Sequence, residues 1–387
     1  MANHLLVTND YLPKTGGIQV YLHELWRRLE PGRGVVLTAS SDEDAASFDA
    51  STNVAIERVP QSTLFAPLPR AIAAVEAAIA RHDPQIVLLD PAWPLGLIGP
   101  RLSRPYGVIL HGAEVTIPGR LPLAARSLRY VLKHAAVAVC AGTYPEAEAR
   151  RNAGDAMPPV IQIPPGVDTE RFQPTSDESH GAVRESMGLP REGRLLSTYS
   201  RLVPRKGMDT VIKAASLLHG EFPDLTVALG GSGRDRGRLE RLARSTKAPV
   251  VFLGRVADDI LPAWLAASDL MVMDCRSRWM GLEQEGFGIV FVEAAAAGVA
   301  QVAGRSGGSH EAVIHGDTGL VVDNPRSPEV LAEALASLLR DPDRRIALGA
   351  AARRSAVERF SWDLLADRLG RELAPFDGYG TSAERLT

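Results

Sequence analysis

Residues 4–29, HLLVTNDYLPKTGGIQVYLHELWRRL, predict one strand, one glycine turn and one helix. Residues 4–8 form a short, mostly apolar run with the length of a buried strand. After the turn at Gly16 and Gly17, apolar side chains recur at the spacing of one helical face, at Val20, Tyr21, Leu25 and Leu29. A strand that leads into a helix through a short turn is the repeating unit of a parallel sheet covered by helices.

The same alternation of short apolar runs and helical stretches continues along the chain. Strands are predicted in the first half at 34–37, 54–58, 86–89, 107–110 and 137–140, and in the second half at 195–199, 226–229, 250–253, 270–273 and 299–303. This alternation predicts an α/β protein with two Rossmann-like domains that face each other across a cleft.

A Pro-Pro-Gly segment at 164–166 and a polar run after it predict the boundary between the two domains. The expected divisions are an N-terminal domain over 1–170, a C-terminal domain over 171–360, a helix over 361–374 and a tail over 375–387.

The composition is that of an ordinary globular protein of 387 residues, with 45% hydrophobic and 23% charged residues. A net charge of −3 argues against a general nucleic-acid binder, whose domain is usually strongly basic. Cys140 and Cys275 have no metal-binding spacing around them, so we expect neither a zinc site nor a disulfide framework. No run of about 18 apolar residues predicts a membrane span, and the cysteine usage favours the reducing cytoplasm.

Two segments that precede predicted helices are candidates for binding an anion. One is a glycine turn and the other is a basic loop. Gly16 and Gly17 allow close backbone approach, and the helix after them offers free N–H groups to a phosphate. A plain tight turn is the alternative. Arg201 and Lys206 follow the strand at 195–199 and precede a helix, a placement that suits a diphosphate. A solvated basic loop is the alternative there.

Glu285 and Glu293 flank the segment GFGIVFV, in which a glycine-bounded aromatic residue leads into an apolar helix. A helix that begins near Gly288 would direct its N-terminus at an anion. Glu293 lies in an otherwise apolar stretch, where a carboxylate needs hydrogen-bonding partners. We favour ligand hydroxyl groups as those partners over the alternative, a salt bridge to one of the many arginines.

Three further features lie at a strand end or in turns. His111 follows the strand at 107–110 and could meet a ligand there, although a lone histidine is more often structural. The glycines at 230–233 lack the last glycine of a dinucleotide fingerprint, so they predict a turn. Asp341 and Asp343 have a spacing found in some metal sites but flank a proline between two predicted helices, and we expect no metal.

Together these residues resemble the retaining glycosyltransferases of family GT4, which have the GT-B fold. The resemblance covers nearly the whole chain, and it extends to the segments 165–168 and 360–362. Within that family the sequence is most similar to the actinobacterial phosphatidylinositol mannoside mannosyltransferases, which use GDP-mannose and a lipid acceptor at the cytoplasmic membrane face. The segments behind this finer match are 7–10, 17–19, 201–207 and 285–290. Ala300 and Ser309-His310 depart from the family pattern.

The resemblance implies a role for each site residue. Arg201 and Lys206 would hold the donor diphosphate, Glu293 the ribose hydroxyls and Glu285 the sugar hydroxyls, while His111 would orient the sugar. The full donor-binding set that the resemblance implies is Gly16, Gly17, Arg201, Lys206, Gly254, Arg255, Val256, Glu285, Gly286, Phe287, Gly288, Ile289 and Glu293. The residues that it places at the reaction are His111, Arg201, Lys206 and Glu285.

The resemblance also implies the mechanism and the division of labour between the domains. The acceptor would attack on the face from which the diphosphate leaves, and the diphosphate would accept its proton, so the protein supplies charge stabilisation and positioning. No cofactor or metal is expected. The N-terminal domain would hold the acceptor, the C-terminal domain would bind the nucleotide sugar, and the helix over 361–374 would return to the first domain.

Three alternatives stay open at this point. An NAD-dependent oxidoreductase with two Rossmann domains would need a dinucleotide fingerprint that this sequence lacks. A non-catalytic nucleotide-sugar sensor would bind donor without turnover. A GT4 enzyme that uses another nucleotide sugar or a soluble acceptor would keep the same site residues.

Residues 119–133 predict a basic helix that could contact a membrane. Leu121, Leu128, Val131 and Leu132 would form its apolar face, with basic side chains beside it at Arg120, Arg126, Arg129 and Lys133. Such a helix can lie in an anionic membrane surface, and the alternative is a domain helix whose leucines pack on the sheet. With the lipid-acceptor resemblance, we expect a cytoplasmic protein with peripheral contact to the inner face of the cell membrane.

Overall fold

The structure is a computed structural model that describes residues 3–14, 16–40, 45–60, 64 and 68–378. The chain forms two compact units. The first comprises Met1–Pro165 together with Trp362–Thr387, and the second comprises Gly166–Ser361.

The first unit is built on a parallel sheet with the strand order β3-β2-β1-β4-β5-β6-β7. Side chains of β1 alternate between the two faces of the sheet, so Leu5 and Val7 lie in one apolar layer and Leu6 in the other. Chain order reverses between β1 and β4, which is where open sheets of this kind bind ligands. The strands are β1 (His4–Thr8), β2 (Gly34–Ala39), β3 (Ala55–Val59), β4 (Ile86–Asp90), β5 (Tyr106–Leu110), β6 (Ala138–Cys140) and β7 (Val160–Gln162).

Helices cover both faces of this sheet. They are α1 (Gly17–Trp26), α2 (Ala45–Ser51), α3 (Leu68–His82), α4 (Ala113–Gly119), α5 (Pro122–His134) and α6 (Thr143–Ala153), with short 3₁₀ helices at Leu95–Arg101 and Gly154–Ala156.

The second unit repeats the plan with the strand order β10-β9-β8-β11-β12-β13, again all parallel. Its reversal point lies between β8 and β11. The strands are β8 (Arg194–Tyr199), β9 (Leu225–Gly230), β10 (Val250–Gly254), β11 (Leu270–Met273), β12 (Gln301–Gly304) and β13 (Gly319–Val322).

The helices of the second unit likewise pack on both faces of its sheet. They are α7 (Asp177–Ser186), α8 (Met208–Leu218), α9 (Arg236–Thr246), α10 (Leu261–Ala266), α11 (Ile289–Ala296), α12 (Pro328–Leu339) and α13 (Pro342–Phe360), with 3₁₀ turns at Pro204–Lys206 and Trp279–Gly281.

The last helix, α14 (Trp362–Asp377), belongs to the first unit and is longer than the sequence predicts. The predicted tail over 375–387 is wrong for its first three residues, because Asp377 is buried at the helix end and accepts a 2.9 Å hydrogen bond from Nε of Arg33. Its carboxylate also lies 3.1 Å from Nδ1 of His4 on β1. Residues 379–387 of that predicted tail lie outside the described residues.

The boundary between the units follows Pro165, five residues before the predicted one. The amide of Val167 donates a 2.8 Å hydrogen bond to the carbonyl oxygen of Phe360, and the side chains of Val167 and Phe172 lie in the second unit's core. Residues 166–170 are therefore the first residues of the second unit.

Candidate functional site

The loop that carries the predicted cations lies between β8 and α8 in the second unit. Pro204 begins the 3₁₀ turn Pro204–Lys206, and its ring fixes the φ angle there. Gly207 then takes a left-handed backbone conformation with φ 71°. A Cβ at Gly207 would overlap the backbone oxygen of Asp274, so this close approach requires glycine. The turn places Lys206 beside the first residues of α8, while Arg201 is exposed at the start of the loop.

Lys206 and Glu285 form a nearly buried ion pair, with Nζ 2.8 Å from Oε2. Nε of Arg205 also donates to Glu285 Oε2 at 3.4 Å, and its guanidinium lies 3.7 Å from Glu283. Burial alone would raise the pKa of Glu285, but the charges of Lys206 and Arg205 outweigh it and hold that pKa below its usual value. Glu285 is therefore ionised at neutral pH. The sequence predicted neither Lys206 nor Arg205 as a partner of Glu285.

The segment from Glu285 to Ile289 lies against a second glycine turn. Gly308 donates its amide to the carbonyl oxygen of Glu285 at 2.9 Å, and a Cβ at Gly308 would overlap the carbonyl oxygen of Gly286. Gly288 has φ 89° and caps α11, which begins at Ile289.

Two residues of the predicted donor-binding set, Phe287 and Val256, have their side chains in the core. Phe287 is buried and packs on Phe360, with ring centroids 5.9 Å apart, and Val256 lies in the same apolar cluster.

The end of β10 carries the other two predicted residues of this segment. The carbonyl oxygen of Gly254 accepts a 2.6 Å hydrogen bond from the amide of Gly231, and Arg255 is exposed.

Glu293 lies on the second turn of α11 and is half-buried. Among the residues that the structure describes, none makes a hydrogen bond or an ion pair with its carboxylate. Burial raises its pKa to about 7, a rise that the charge of Arg171 opposes and that of Asp258 supports. The alternative of an arginine salt bridge is thus not seen, and the binding of ribose hydroxyls stays a prediction.

The glycines at 230–233 support the cation loop. The amide of Leu202 donates to the carbonyl oxygen of Ser232 at 2.8 Å, and a Cβ at Gly233 would overlap the backbone of Leu202. The turn prediction for this segment agrees with that arrangement, and the dinucleotide-dependent oxidoreductase is not supported.

In the first unit, His111 follows β5, which is the neighbour of β4 and so lies close to the reversal point of the sheet. Its Nε2 is 2.6 Å from Oδ1 of Asp90, and the other carboxylate oxygen of Asp90 accepts a 2.7 Å hydrogen bond from the hydroxyl of Thr8. The edge of the Tyr21 ring packs on the imidazole, with centroids 5.4 Å apart. The ends of β1, β4 and β5 are therefore joined through side chains that the sequence analysis, His111 apart, did not single out.

The charges around His111 set its protonation. Burial lowers its pKa, but the adjacent Asp90, with smaller contributions from Glu114 and Asp10, raises it above its usual value overall. Asp90 directly follows the predicted strand at 86–89, and this place at a strand end is the signal that could have identified it.

Gly16 is the N-cap of α1, which begins at Gly17, and its φ of 166° is extended backbone that any residue adopts. The side-chain amide of Gln19 donates a 3.0 Å hydrogen bond to Asp10 beside this turn. Burial raises the pKa of Asp10, as does the nearby charge of Asp90. The structure therefore gives this turn an acidic neighbour, which the sequence analysis did not predict.

The predicted apolar membrane face of α5 is wrong. Leu128, Val131 and Leu132 are fully buried in the core of the first unit, so this is a domain helix packed on its sheet. Of the predicted basic contacts, Arg129 donates to the carbonyl oxygen of Asn152 at 2.8 Å, and Arg120 lies 3.3 Å from Glu148.

The start of α5 and its solvent face remain accessible. Leu121 and Leu123 are 53% and 80% exposed, and Arg126 and Lys133 are also exposed. Within the described ranges no helix is long and apolar enough to cross a membrane. The same residues contain no group of three or more His, Cys, Asp or Glu side chains arranged to hold a metal ion.

Sequence comparison identifies the relatives of this chain. Residues 181–355 match the family described as "Glycosyl transferases group 1", and residues 15–171 match "Glycosyltransferase Family 4". The chain is 38% identical to a GDP-mannose-dependent alpha-(1-6)-phosphatidylinositol monomannoside mannosyltransferase of Mycobacterium tuberculosis, over 95% of this chain and 97% of that protein. It is 35% identical to the monoacylated phosphatidylinositol monomannoside mannosyltransferase of Corynebacterium glutamicum, over 94% of this chain and 96% of that one.

Solved structures share the fold. HepE from Anabaena, crystallised with UDP, superposes with a TM-score of 0.82 at 21% identity, over 97% of this chain and all of that one. Sucrose-phosphate synthase from Thermosynechococcus elongatus gives a TM-score of 0.78 at 22% identity, over 96% and 98% of the two chains. The two Rossmann-like units are thus those of the GT-B glycosyltransferases.

Proposed function

Because the chain belongs to glycosyltransferase family 4, we propose that it transfers mannose from GDP-mannose to a phosphatidylinositol mannoside. The observation that carries this proposal is the 38% identity to a phosphatidylinositol monomannoside mannosyltransferase over 95% of the chain. A transferase that uses another nucleotide sugar or a soluble acceptor is the competing outcome of the test below.

The geometry of the second unit supports a role for its cations in binding the diphosphate. Lys206, Arg205 and the exposed Arg201 gather three positive charges beside the start of α8, where free backbone N–H groups also favour an anion. Glu283 and Glu285 offset part of that charge and fix Arg205 and Lys206 in place. Preorganised cations of this kind stabilise negative charge as it develops on a leaving group.

The acidic residues are assigned to the hydroxyl groups of the donor. Glu293 has carboxylate oxygens without a protein partner among the described residues, which suits the two ribose hydroxyls as donors. Glu285 and the backbone from Gly286 to Gly288 would contact the sugar. In the first unit, His111 is assigned to orient the sugar, with Asp90 holding the imidazole.

The proposed reaction retains the configuration at the anomeric carbon. The bond from that carbon to the diphosphate oxygen breaks, and a bond to the acceptor hydroxyl oxygen forms on the same face. The acceptor proton passes to the departing diphosphate, leaving GDP and the mannosylated lipid. We propose that Arg201, Arg205 and Lys206 provide the charge neutralisation, so that the reaction needs no divalent metal.

A finer proposal concerns location. The exposed Arg126 and Lys133 on α5, with Leu121 and Leu123 at its start, would contact the anionic inner face of the cell membrane. This differs from the arrangement that the sequence predicted, because the buried leucines of α5 take no part.

The test of the function uses the purified chain with phosphatidylinositol monomannoside in detergent and GDP-mannose, GDP-glucose, UDP-glucose or ADP-glucose. We expect mannosyl transfer from GDP-mannose, detected by mass spectrometry of the lipid, at the same rate with and without excess EDTA. Transfer from another donor, or from GDP-mannose only to a soluble sugar acceptor, would establish the competing function. Activity that EDTA abolishes and Mg²⁺ restores would contradict metal independence.

A further inference from the structure

The segment 276–284 in the second unit presents two large apolar side chains to solvent. Trp279 is 62% exposed and Met280 is 97% exposed. Exposed apolar side chains that lie next to each other mark a contact surface more often than isolated ones do. We call Trp279 and Met280 the apolar tip.

The backbone holds this tip in an unusual conformation. Trp279 and Met280 have φ values of 49° and 51°, in the left-handed region that L-residues other than glycine, asparagine and aspartate seldom adopt. Such conformations persist where surrounding structure enforces them and often accompany function. The exposure of the tip therefore results from a specific fold of the segment.

Contacts between the two ends of the segment, which we call its base, hold the tip in this conformation. Arg278 and Glu283 exchange both backbone hydrogen bonds, at 2.9 Å and 3.3 Å, and their side chains form a 2.7 Å ion pair. The hydroxyl of Ser277 donates to Gln284 at 3.1 Å. The tip is thus the end of a closed hairpin-like loop.

The same base connects to the candidate donor site. Glu283 also lies 3.7 Å from the guanidinium of Arg205, which contacts Glu285. Glu285 is five positions after Met280, so the Cα atoms of the tip and of the proposed sugar-binding residue can be at most about 18 Å apart.

The charge beside the tip indicates what it contacts. The guanidinium of Arg278 stacks on the Trp279 ring, 4.8 Å from its centroid, and Arg326 donates to the carbonyl oxygen of Ser277 at 2.7 Å. Tryptophan next to arginine suits the boundary between anionic headgroups and acyl chains, because the ring is apolar at one end and polar at the other.

We propose that the Trp279–Met280 tip inserts into the headgroup–acyl boundary of an anionic membrane and brings the donor site to the lipid acceptor. This rests on the proposed function in one respect, namely that the acceptor is a membrane lipid. A lipid whose acyl chains stay in the membrane can react only if the protein's site comes to the surface, and the tip provides a contact close to that site.

The first experiment measures insertion directly. The chain has five tryptophans, of which Trp26, Trp264 and Trp362 are buried and Trp93 is half-buried. The full chain is mixed with vesicles of phosphatidylcholine and phosphatidylglycerol in which the acyl chains are brominated at shallow or deep positions. We expect shallow bromines to quench the wild type clearly more than Trp279→Phe. Equal quenching of the two proteins would overturn the proposal.

The second experiment separates membrane contact from catalysis. The variant Trp279→Ser/Met280→Ser is compared with the control Ile346→Ser, which removes a 66% exposed apolar side chain from α13. For acceptor embedded in vesicles, we expect the KM of the tip variant to rise at least about tenfold and that of the control to stay unchanged. With a deacylated, water-soluble acceptor both variants should match the wild type.

The remaining outcomes are also decisive. Equal loss with both acceptors would overturn the proposal, because the tip would then be organising the donor loop. A wild-type dimer in light scattering that the tip variant abolishes would overturn it in favour of contact with a second copy. If the wild type transfers no mannose to either acceptor, the proposed function fails, whereas the quenching result still decides whether the tip inserts.

Discussion

Nε2 of His111, at the end of β5, lies 2.6 Å from Oδ1 of Asp90, at the end of β4. Asp90 is itself 1% exposed, and its other carboxylate oxygen accepts a hydrogen bond from the hydroxyl of Thr8. A buried carboxylate in this position fixes the imidazole ring and favours its protonated form. Asp90 is therefore a positioning residue for His111.

Asp90→Asn is expected to lower the pKa of His111, since it removes the adjacent negative charge that raises it. The His111 Cε1–H resonance, followed by NMR against pH, measures this shift. If His111 orients the sugar, kcat should fall while the KM for the acceptor changes little. A His111 titration that is the same in Asp90→Asn as in wild type would contradict the positioning role.

Removing the proposed diphosphate cations should reduce turnover most. Arg201→Ala and Lys206→Ala should each lower kcat by about a hundredfold or more, because each cation would stabilise the leaving group. Their effects on folding should differ. Arg201 is exposed, so its variant should keep the wild-type Tm, whereas Lys206→Ala leaves Glu285 poorly compensated and should cost about 3 kcal/mol or more of unfolding free energy.

The control for both variants is Lys213→Ala, which removes an exposed cation from α8, the helix that follows the loop carrying Arg201 and Lys206. Its turnover and Tm should equal those of the wild type. Near wild-type turnover in both Arg201→Ala and Lys206→Ala would contradict the assignment of the donor site.

Glu293 should make donor affinity depend on pH. Its pKa is raised to about 7, so in the free protein it is largely neutral below that pH and ionised above it. Hydroxyl donors favour the ionised form, so GDP should bind more tightly as pH rises from 6 to 8. Glu293→Gln should weaken binding at pH 8 by about 1.5–3 kcal/mol, the contribution of a charged hydrogen bond, and should lose this part of the pH dependence.

Calorimetry with GDP and 2′,3′-dideoxy-GDP separates this effect from titration of the phosphate, because the dideoxy ligand keeps the diphosphate and lacks both hydroxyls. The dideoxy ligand should show no difference in pH dependence between wild type and variant.

The raised pKa of Glu293 also makes the free energy of unfolding depend on pH. The stabilisation is complete below the unfolded-state pKa near 4.5 and is lost as pH rises through about 7, so Glu293→Gln should gain stability relative to wild type over that range.

The proposed contact of α5 with membranes predicts salt-sensitive binding to anionic vesicles. Arg126→Glu/Lys133→Glu should reduce sedimentation with phosphatidylglycerol vesicles at low salt, and high salt should reduce wild-type binding in the same way. Arg151→Glu is the control, because this exposed arginine lies on α6. Equal sedimentation of all three proteins at low salt would remove α5 from the membrane contact.

Most of the fold could be predicted because buried strands of a parallel sheet are continuous apolar runs. The predicted strands correspond to β1–β6 and β8–β12. The two that were missed, β7 and β13, each lie at the edge of a sheet and have three and four residues. The prediction that the apolar face of α5 contacts a membrane was wrong, because an apolar stripe on a helix has the same pattern whether it packs on a sheet or on a lipid surface.

The site was only partly predictable. Arg201, Lys206, Glu285 and Glu293 carry signals in strand position and polarity that the sequence shows directly. The pairing of Arg205 with Glu283 and Glu285 joins segments about 80 residues apart, and no local spacing encodes such a contact. Val256 shows that a residue next to a proposed ligand loop can direct its side chain into the core, which its place in the sequence does not reveal.

Helix α14 determines when, during synthesis, the first unit can complete its fold. Trp362, Leu365, Leu369 and Leu373 fill an apolar layer against β1 and α1, yet they leave the ribosome after the whole second unit. The second unit can fold while synthesis continues, whereas the first must wait with that layer uncovered until Trp362–Asp377 has been synthesised. During this interval the exposed apolar layer is a surface that a chaperone would bind, and a stop codon just before Trp362 would make that exposure permanent.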